Sequence, residues 1–517
     1  MKETNAKAFI IYFKKSIFVL DNKIYKLAIL FIFLISLVER ILLVIKGGQF
    51  FIVDELRYSS GHHVLSFLNH FDIFSLSEYL YINSAHILFT FFCSICEFIR
   101  YIWVYFLISP GLPAFELNNS NVGIKVSSFI ISMFSLLNIL ILILIVKKFY
   151  KSWKHIFIVS LLLSLSSSNL YFSRHLLPYD ISITFALLSF YYLADENNTL
   201  KSIMLCGLFS SISTLLYFGY WYLSITTWFC FLLKGYTDKK ILKYTIFCGL
   251  SGLFPIFVIH IFGSFYNIGL IDSILQFFIA TKNFQMGDLS NGFFTFFEYF
   301  WYSENILFIF LIICYIYSLY MFIKNKRFEL KRENLVIVYT SIILLILLIF
   351  SQILDVMVLY GRTIKPLIPF WCIIAILPSI KFIKLIKNRR YCIYSISFLT
   401  LFILIYNHYS IYKISFLKEF ENEVKSYGIS NIKYLSTINH NNDSNIVMNK
   451  KSNYIVTNTK WIIPPFQKPY YLEIPKGEVL LSKDSPYNYK PYQFLGLNKE
   501  ERNIVDINKP KMLLIKQ

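Results

Sequence analysis

Four short stretches hold most of the residues equipped for acid–base or anion-binding chemistry. "VDELRY" carries Asp54, Glu55 and Arg57; "SAHILF" carries His86; "YFSRHLLPYD" carries Arg174, His175 and Asp180; "YGRTIKPLIP" carries Tyr360, Arg362 and Lys365. A carboxylate can take a proton from an incoming hydroxyl, and fixed guanidinium or ammonium groups can hold a phosphate and offset the charge that grows on it as it leaves. Two acidic and two basic sites at one depth would suit a reaction on a lipid-linked phosphate. Each stretch also has a plainer reading. Adjacent acids occur in wet loops, an interfacial arginine often only anchors a helix end at lipid phosphates, and Pro178 with Asp180 could simply open a helix. His62 and His63 follow the acids, but if the segment is helical Glu55 and His62 stand two turns, about 10 Å, apart, too far to share one metal.

The elements that must position these residues are apolar. At 517 residues, 56% hydrophobic and 15% charged, with a mean hydropathy of +0.57, the chain has more apolar surface than one soluble core can hide. Its apolar runs have the length that crosses about 30 Å of hydrocarbon as helix, and they lack the alternation of a barrel strand. The net charge of +20 would suggest nucleic acid in a soluble protein. Here the Lys and Arg sit in short clusters between apolar runs, which is a topology signal and not a nucleic-acid footprint.

Those clusters recur at alternate connections: Lys14, Lys15, Lys23 and Lys26; Lys147, Lys148, Lys151 and Lys154; Lys234, Lys239, Lys240 and Lys243; Lys324, Lys326, Arg327, Lys331 and Arg332; and Lys381, Lys384, Lys387, Arg389 and Arg390. The positive-inside rule puts all of them in the cytoplasm. This predicts an all-α polytopic protein of the inner membrane with spans near 26–45, 123–146, 156–172, 179–194, 202–218, 221–233, 244–262, 304–323, 335–354, 366–380 and 391–410. The N-terminus is then cytoplasmic and the tail extracytoplasmic. The run from 84 to 108 contains Glu97 and Arg100, and as a span it would invert the later clusters. It is expected to lie in the outer interface with its charges toward headgroups. Residues 1–410 thus form a membrane domain with a large first outer loop at 46–122, and the polar, Pro- and Gly-punctuated segment 411–517 forms a small α/β or β domain outside.

Eight cysteines, at 93, 96, 206, 230, 248, 314, 372 and 392, all lie in or beside apolar runs, and none is in the polar tail. They imply no disulfide framework, and "CSIC" lacks the second pair a zinc site requires. Neither a P-loop nor a GxGxxG element is present.

In order and spacing, "VDELRY", "SAHILF", "YFSRHLLPYD" and "GRTIKPLIPF" resemble the elements of the polyprenyl-phosphate-sugar-dependent glycosyltransferases of the GT-C fold, specifically the protein mannosyltransferase and aminoarabinose transferase branch. The resemblance covers roughly residues 26–380. Two departures stand out: the prolines that follow the histidine in those enzymes are Ile and Leu here, and Thr363 occupies a place usually aromatic. The resemblance implies that Asp54 deprotonates an acceptor hydroxyl. Glu55 and Asp180 would support it, orient the acceptor or help hold a divalent ion, and Arg174, Arg362 and Lys365 would bind the donor phosphate, with Tyr360, His86 and Arg57 alongside. The partners it implies are a polyprenyl-phosphate-linked sugar, a protein, lipid or glycan acceptor, and membrane lipid, with no nucleic acid. Two other readings share the polytopic, basic character: a polysaccharide polymerase or ligase, and a flippase for lipid-linked saccharide. A flippase would carry its ionisable residues within the spans; the sequence shows Glu39 and Arg40 late in the first run and few others.

Overall fold

The helices follow the apolar runs, and their surfaces are inverted relative to those of a soluble protein. The structure is a computed structural model; it describes residues 2–46, 61–82, 86–103, 121–264, 270–272, 293–324, 332–354 and 361–385, isolated positions at 275, 359, 402, 406, 408, 409 and 411, and strands between 433 and 516. Helix α1 (Lys2–Lys46) exposes Ile24, Leu27, Phe31, Leu34 and Val38 while burying Ser36 and Arg40. An apolar outer face over a partly polar inner one is stable only where the outer face meets hydrocarbon.

Helices α2 (Gly61–Asn69) and α3 (Ile73–Ile82) are short, and α4 (Ile87–Trp103) packs against α2 so tightly that a Cβ on Gly61 would press on the Cys93 backbone. The bundle continues with α5 (Asn121–Phe149), α6 (Trp153–Ser164), α7 (Ser167–Phe172), α8 (Tyr179–Leu193), α9 (Leu200–Leu216), α10 (Trp221–Thr237) and α11 (Ile241–Ser264). It resumes with α12 (Phe294–Glu304), α13 (Ile306–Lys324), α14 (Arg332–Leu348, prolonged by a wider π turn to Ile353), α15 (Gly361–Ile364), α16 (Leu367–Ile374) and α17 (Ile376–Leu385). Among the described residues, five helical segments are long and apolar enough to cross a membrane: Lys23–Lys46, Val126–Phe149, Ile241–Ser264, Ile306–Lys324 and Glu333–Ile353. The shorter α6, α8, α9 and the α16–α17 pair are also apolar.

Two of the runs read as single spans are broken helices. The run at 156–172 is interrupted between α6 and α7, where Ser166 accepts a hydrogen bond from the Asn169 amide and so caps a new helix. The run at 366–380 divides at Ala375 into α16 and α17. A third difference concerns α4: its charges do not face headgroups. Glu97 and Arg100 pair at 2.5 Å with both side chains buried, while Phe91, Ile95 and Phe98 are exposed. An apolar outward face with the charges paired inward is the lower-energy arrangement against lipid, because an unpaired ion in hydrocarbon costs several kcal/mol.

Close approach between α9 and α11 rests on small residues. Gly207 lies against the Cys248 carbonyl with no room for a Cβ, Gly252 faces Trp228, and the Ser211 hydroxyl donates to the Gly252 carbonyl. Where apolar side chains gain little by leaving lipid, such backbone contact is what holds helices together. In the tail, β1 (Lys433–Leu435), β2 (Tyr454–Asn458), β5 (Glu478–Asp484) and β6 (Lys511–Lys516) form a four-stranded sheet in the order β1-β2-β6-β5, parallel only between β1 and β2. The short strands β3 (Lys460–Trp461) and β4 (Tyr470–Tyr471) pair separately. The strand signals read at "NYIVTNTKW" and "GEVLLS" coincide with β2, β3 and β5.

Candidate active site

The turn that carries Arg362 and Lys365 is fixed by tyrosines from another part of the chain. Between α9 and α10 the sequence "YFGYWY" (217–222) forms a single 3-10 turn running into α10. Tyr220 Oη donates to the Arg362 carbonyl at 2.7 Å and Tyr222 Oη donates to the Thr363 carbonyl at 2.5 Å. Both rings are fully buried, so each hydroxyl needs a partner, and the carbonyls of α15 supply them.

Across this turn stands the start of α8, opened by Pro178. Arg362 Nη1 donates to Tyr179 Oη at 3.0 Å, and Lys365 Nζ donates to Asp180 Oδ1 at 2.6 Å. Lys365 and Asp180 are 2% and 1% exposed, so this is a buried ion pair. Burial pulls the Lys365 ammonium below its ordinary value, and the Asp180 carboxylate pulls it back up. Arg40 of α1 also feels Asp180, while its guanidinium donates to Ser135 Oγ of α5 and to the Ser36 carbonyl. Behind Asp180, Asn138 Nδ2 donates to its carbonyl, and Thr184 Oγ1 is in range of both that carbonyl and Asn138 Oδ1.

An aromatic chain joins the remaining parts. The His86 ring stacks on Tyr217 with centroids 5.2 Å apart and planes 6° from parallel. Tyr217 meets Tyr179 edge-on at 4.9 Å and Tyr220 at 4.7 Å. Phe172, at the end of α7, contacts Tyr179 at 5.2 Å and lies beneath Lys365 Nζ at 5.2 Å. Two residues further on, Arg174 is fully buried with its guanidinium 5.2 Å from the Tyr171 ring, which His175 also touches.

The structure therefore brings His86, Asp180, Arg362 and Lys365 together, with Arg174 on the adjoining turn. Asp54, Glu55, Arg57 and Tyr360 lie outside the described residues. No protein-family model matches this chain, and neither does any curated protein sequence.

Three features of the neighbourhood are not apparent from the four stretches. The tyrosines at 217, 220 and 222 could have been suspected only from their clustering. Arg40, an arginine inside an apolar run, carried its own signal. Glu304 is the third: fully buried, it accepts from Ser166 Oγ and from the backbone amides of Ser167 and Ser168 at 2.9–3.0 Å. Its carboxylate thereby fills the N-terminus of α7, where the helix dipole favours negative charge. Beside Arg40 on α1, Glu39 Oε1 stands 2.6 Å from His408 Nδ1.

For a divalent ion, the described residues do not fit. Among them no three His, Cys, Asp or Glu side chains converge. Asp180, to which the resemblance gives a share in such an ion, is already flanked by the cations Lys365 and Arg40. A metal there would add positive charge to positive charge.

Proposed function

We propose that the protein is an inverting glycosyltransferase that moves a sugar from a polyprenyl-phosphate donor to a hydroxyl of a protein, lipid or glycan acceptor at the outer face of the cytoplasmic membrane. The observation that carries this reading is the Arg362–Tyr179 contact. It holds a half-buried guanidinium at the mouth of α8, beside an aromatic surface of His86, Tyr217 and Tyr179. A fixed guanidinium suits a phosphate, and aromatic faces suit a sugar ring or an isoprenoid. The dipeptide Asp54–Glu55 follows α1, whose Arg40 stands next to Asp180, and precedes α2, which packs on the helix that His86 opens. Among the described residues, the acidic segment is thus flanked by the helix that carries Arg40 and by one that packs on the helix following His86.

In the reaction, Asp54 takes the proton of the acceptor hydroxyl. The acceptor oxygen bonds to the anomeric carbon as the bond from that carbon to the phosphate oxygen breaks, and the phosphate leaves with the electron pair. Arg362 and Arg174 stabilise the departing anion. A phosphate monoester is a good leaving group, so no separate general acid is needed, in contrast to hydrolysis by paired carboxylates. The Lys365–Asp180 pair positions the turn; for Lys365 to bind phosphate it would have to leave Asp180. In this reading the chain crosses the membrane eleven times, and the sheet of the tail stands outside and contacts the acceptor.

One observation favours a second reading. The break between α6 and α7, with Glu304 at the new helix start and the buried pair of Asp180 and Lys365 nearby, has the form of the discontinuous helices that transporters use for ions and lipid-linked cargo. Deleting the gene and comparing cell-surface glycans and lipids by mass spectrometry, then complementing with Asp54→Asn or Arg362→Gln, separates the two. A transferase loses the glycosylated product with either variant while the donor lipid accumulates. Full restoration by Asp54→Asn removes the base from the mechanism.

A further inference from the structure

At the end of the bundle opposite this cluster, two helices direct basic groups at an indole carried by a third. Trp153 opens α6. Lys26 Nζ of α1 stands 4.8 Å from its ring centroid, and Lys147 Nζ, from the last turn of α5, stands 4.7 Å from it. The two ammonium groups are therefore separated by no more than the sum of those distances. Both lysines are exposed, and among the described residues neither has a carboxylate partner. The neighbouring Lys148 is occupied differently: its ammonium donates to the Tyr191 carbonyl at 2.8 Å and lies over the Tyr191 ring. Lys23 sits one turn before Lys26, and exposed Lys151 is two residues before Trp153. The indole attracts each cation but does not cancel their mutual repulsion.

An exposed apolar stripe on α1 begins at the same place, with Ile24, Leu27, Leu30, Phe31 and Leu34. It runs away from the lysines along the membrane-crossing segment Lys23–Lys46.

We propose that Lys26, Lys147 and Trp153 form a binding site for a phospholipid of net negative charge. The phosphodiester sits between the two ammonium groups, the glycerol rests against the indole, and an acyl chain follows the α1 stripe. The stripe favours a lipid over free phosphate, since a soluble anion makes no use of it. That no carboxylate among the described residues pairs with either lysine favours an anionic headgroup over a zwitterionic one, which brings its own cation into an already positive place.

Native mass spectrometry of the full chain in neutral detergent, with phosphatidylglycerol or phosphatidylcholine added in equal amount, tests the site. Wild type should retain phosphatidylglycerol adducts and few of phosphatidylcholine. Lys26→Gln/Lys147→Gln should cut the former at least fivefold, while Lys26→Arg/Lys147→Arg and the remote Lys201→Gln should keep them. If the double Gln variant fails to fold, each single Gln variant should still show at least a twofold loss. Undiminished phosphatidylglycerol binding in the Gln variants, or equal retention of phosphatidylcholine, overturns the proposal. So does thermal stabilisation by millimolar inorganic phosphate that matches the lipid's.

Discussion

Substituting Asp180→Asn leaves Lys365, 2% exposed, without its counter-ion and beside a second cation, Arg40. At the observed 2.6 Å, the pair attracts by about 6 kcal/mol at an effective dielectric of ~20. Desolvation of both ions offsets much of that, and removing one partner of a buried pair typically costs about 3–5 kcal/mol. Asp180→Asn should therefore lower the apparent unfolding temperature in detergent by on the order of 5 °C. Lys365→Met should cost less, because Asp180 keeps the nearby positive charge of Arg40. The double variant Asp180→Asn/Lys365→Met removes both ions and should recover about half or more of the loss, since exchanging a buried pair for well-packed neutral groups is often near neutral. Fluorescence-detected size exclusion after a heating series reads all three. If the double variant is as unstable as the sum of the singles, or if Lys365→Met is the worse single, the pair does not hold the turn as described.

Glu304→Ala strands three buried donors at the start of α7, at about 1–3 kcal/mol each, and should destabilise more than Glu304→Gln, which keeps one acceptor; the same heating series checks this. Gly207→Ala drives a methyl against the Cys248 carbonyl and should cost about 1–3 kcal/mol by separating α9 from α11, whereas the half-buried Gly249→Ala, with open space at its Cβ, should be neutral or slightly stabilising. Tyr217→Phe should preserve donor binding, while Tyr217→Ala, which removes the stacking partner of His86 and Tyr179, should weaken it about tenfold, measured by titration with a polyprenyl-phosphate sugar.

Much of the helix pattern is legible from hydropathy because apolar run length is set by bilayer thickness, and α5, α11, α13 and α14 lie where their runs do. The break at Leu165–Ser166 is not. Its serines sit within a run that averages as apolar, and the carboxylate that caps the new helix is 138 positions away in sequence. The meeting of His86, Asp180, Arg362 and Lys365 is what a reading of all four at one membrane face expects, a one-dimensional inference from run length and charge. Partner choice within that face is different. Nothing in periodicity says that Lys365 takes Asp180, or that the tyrosines at 220 and 222 hold the turn by its carbonyls. The inward pairing of Glu97 with Arg100 was hidden for the same reason: two charges at helical spacing read alike whether they face headgroups or protein.

The proposed sugar transfer requires the acidic segment and the Arg362 turn to open to the same extracytoplasmic side. Every described cysteine is buried, and with Cys392→Ser as the background the native thiols give little signal to a membrane-impermeant maleimide. Applied to intact cells carrying Asp54→Cys, Arg362→Cys or Lys147→Cys, the reagent should label positions 54 and 362 without permeabilisation and position 147 only after it. Labelling of 362 from outside with 54 reachable only from the cytosol would contradict the shared site and the sugar transfer built on it.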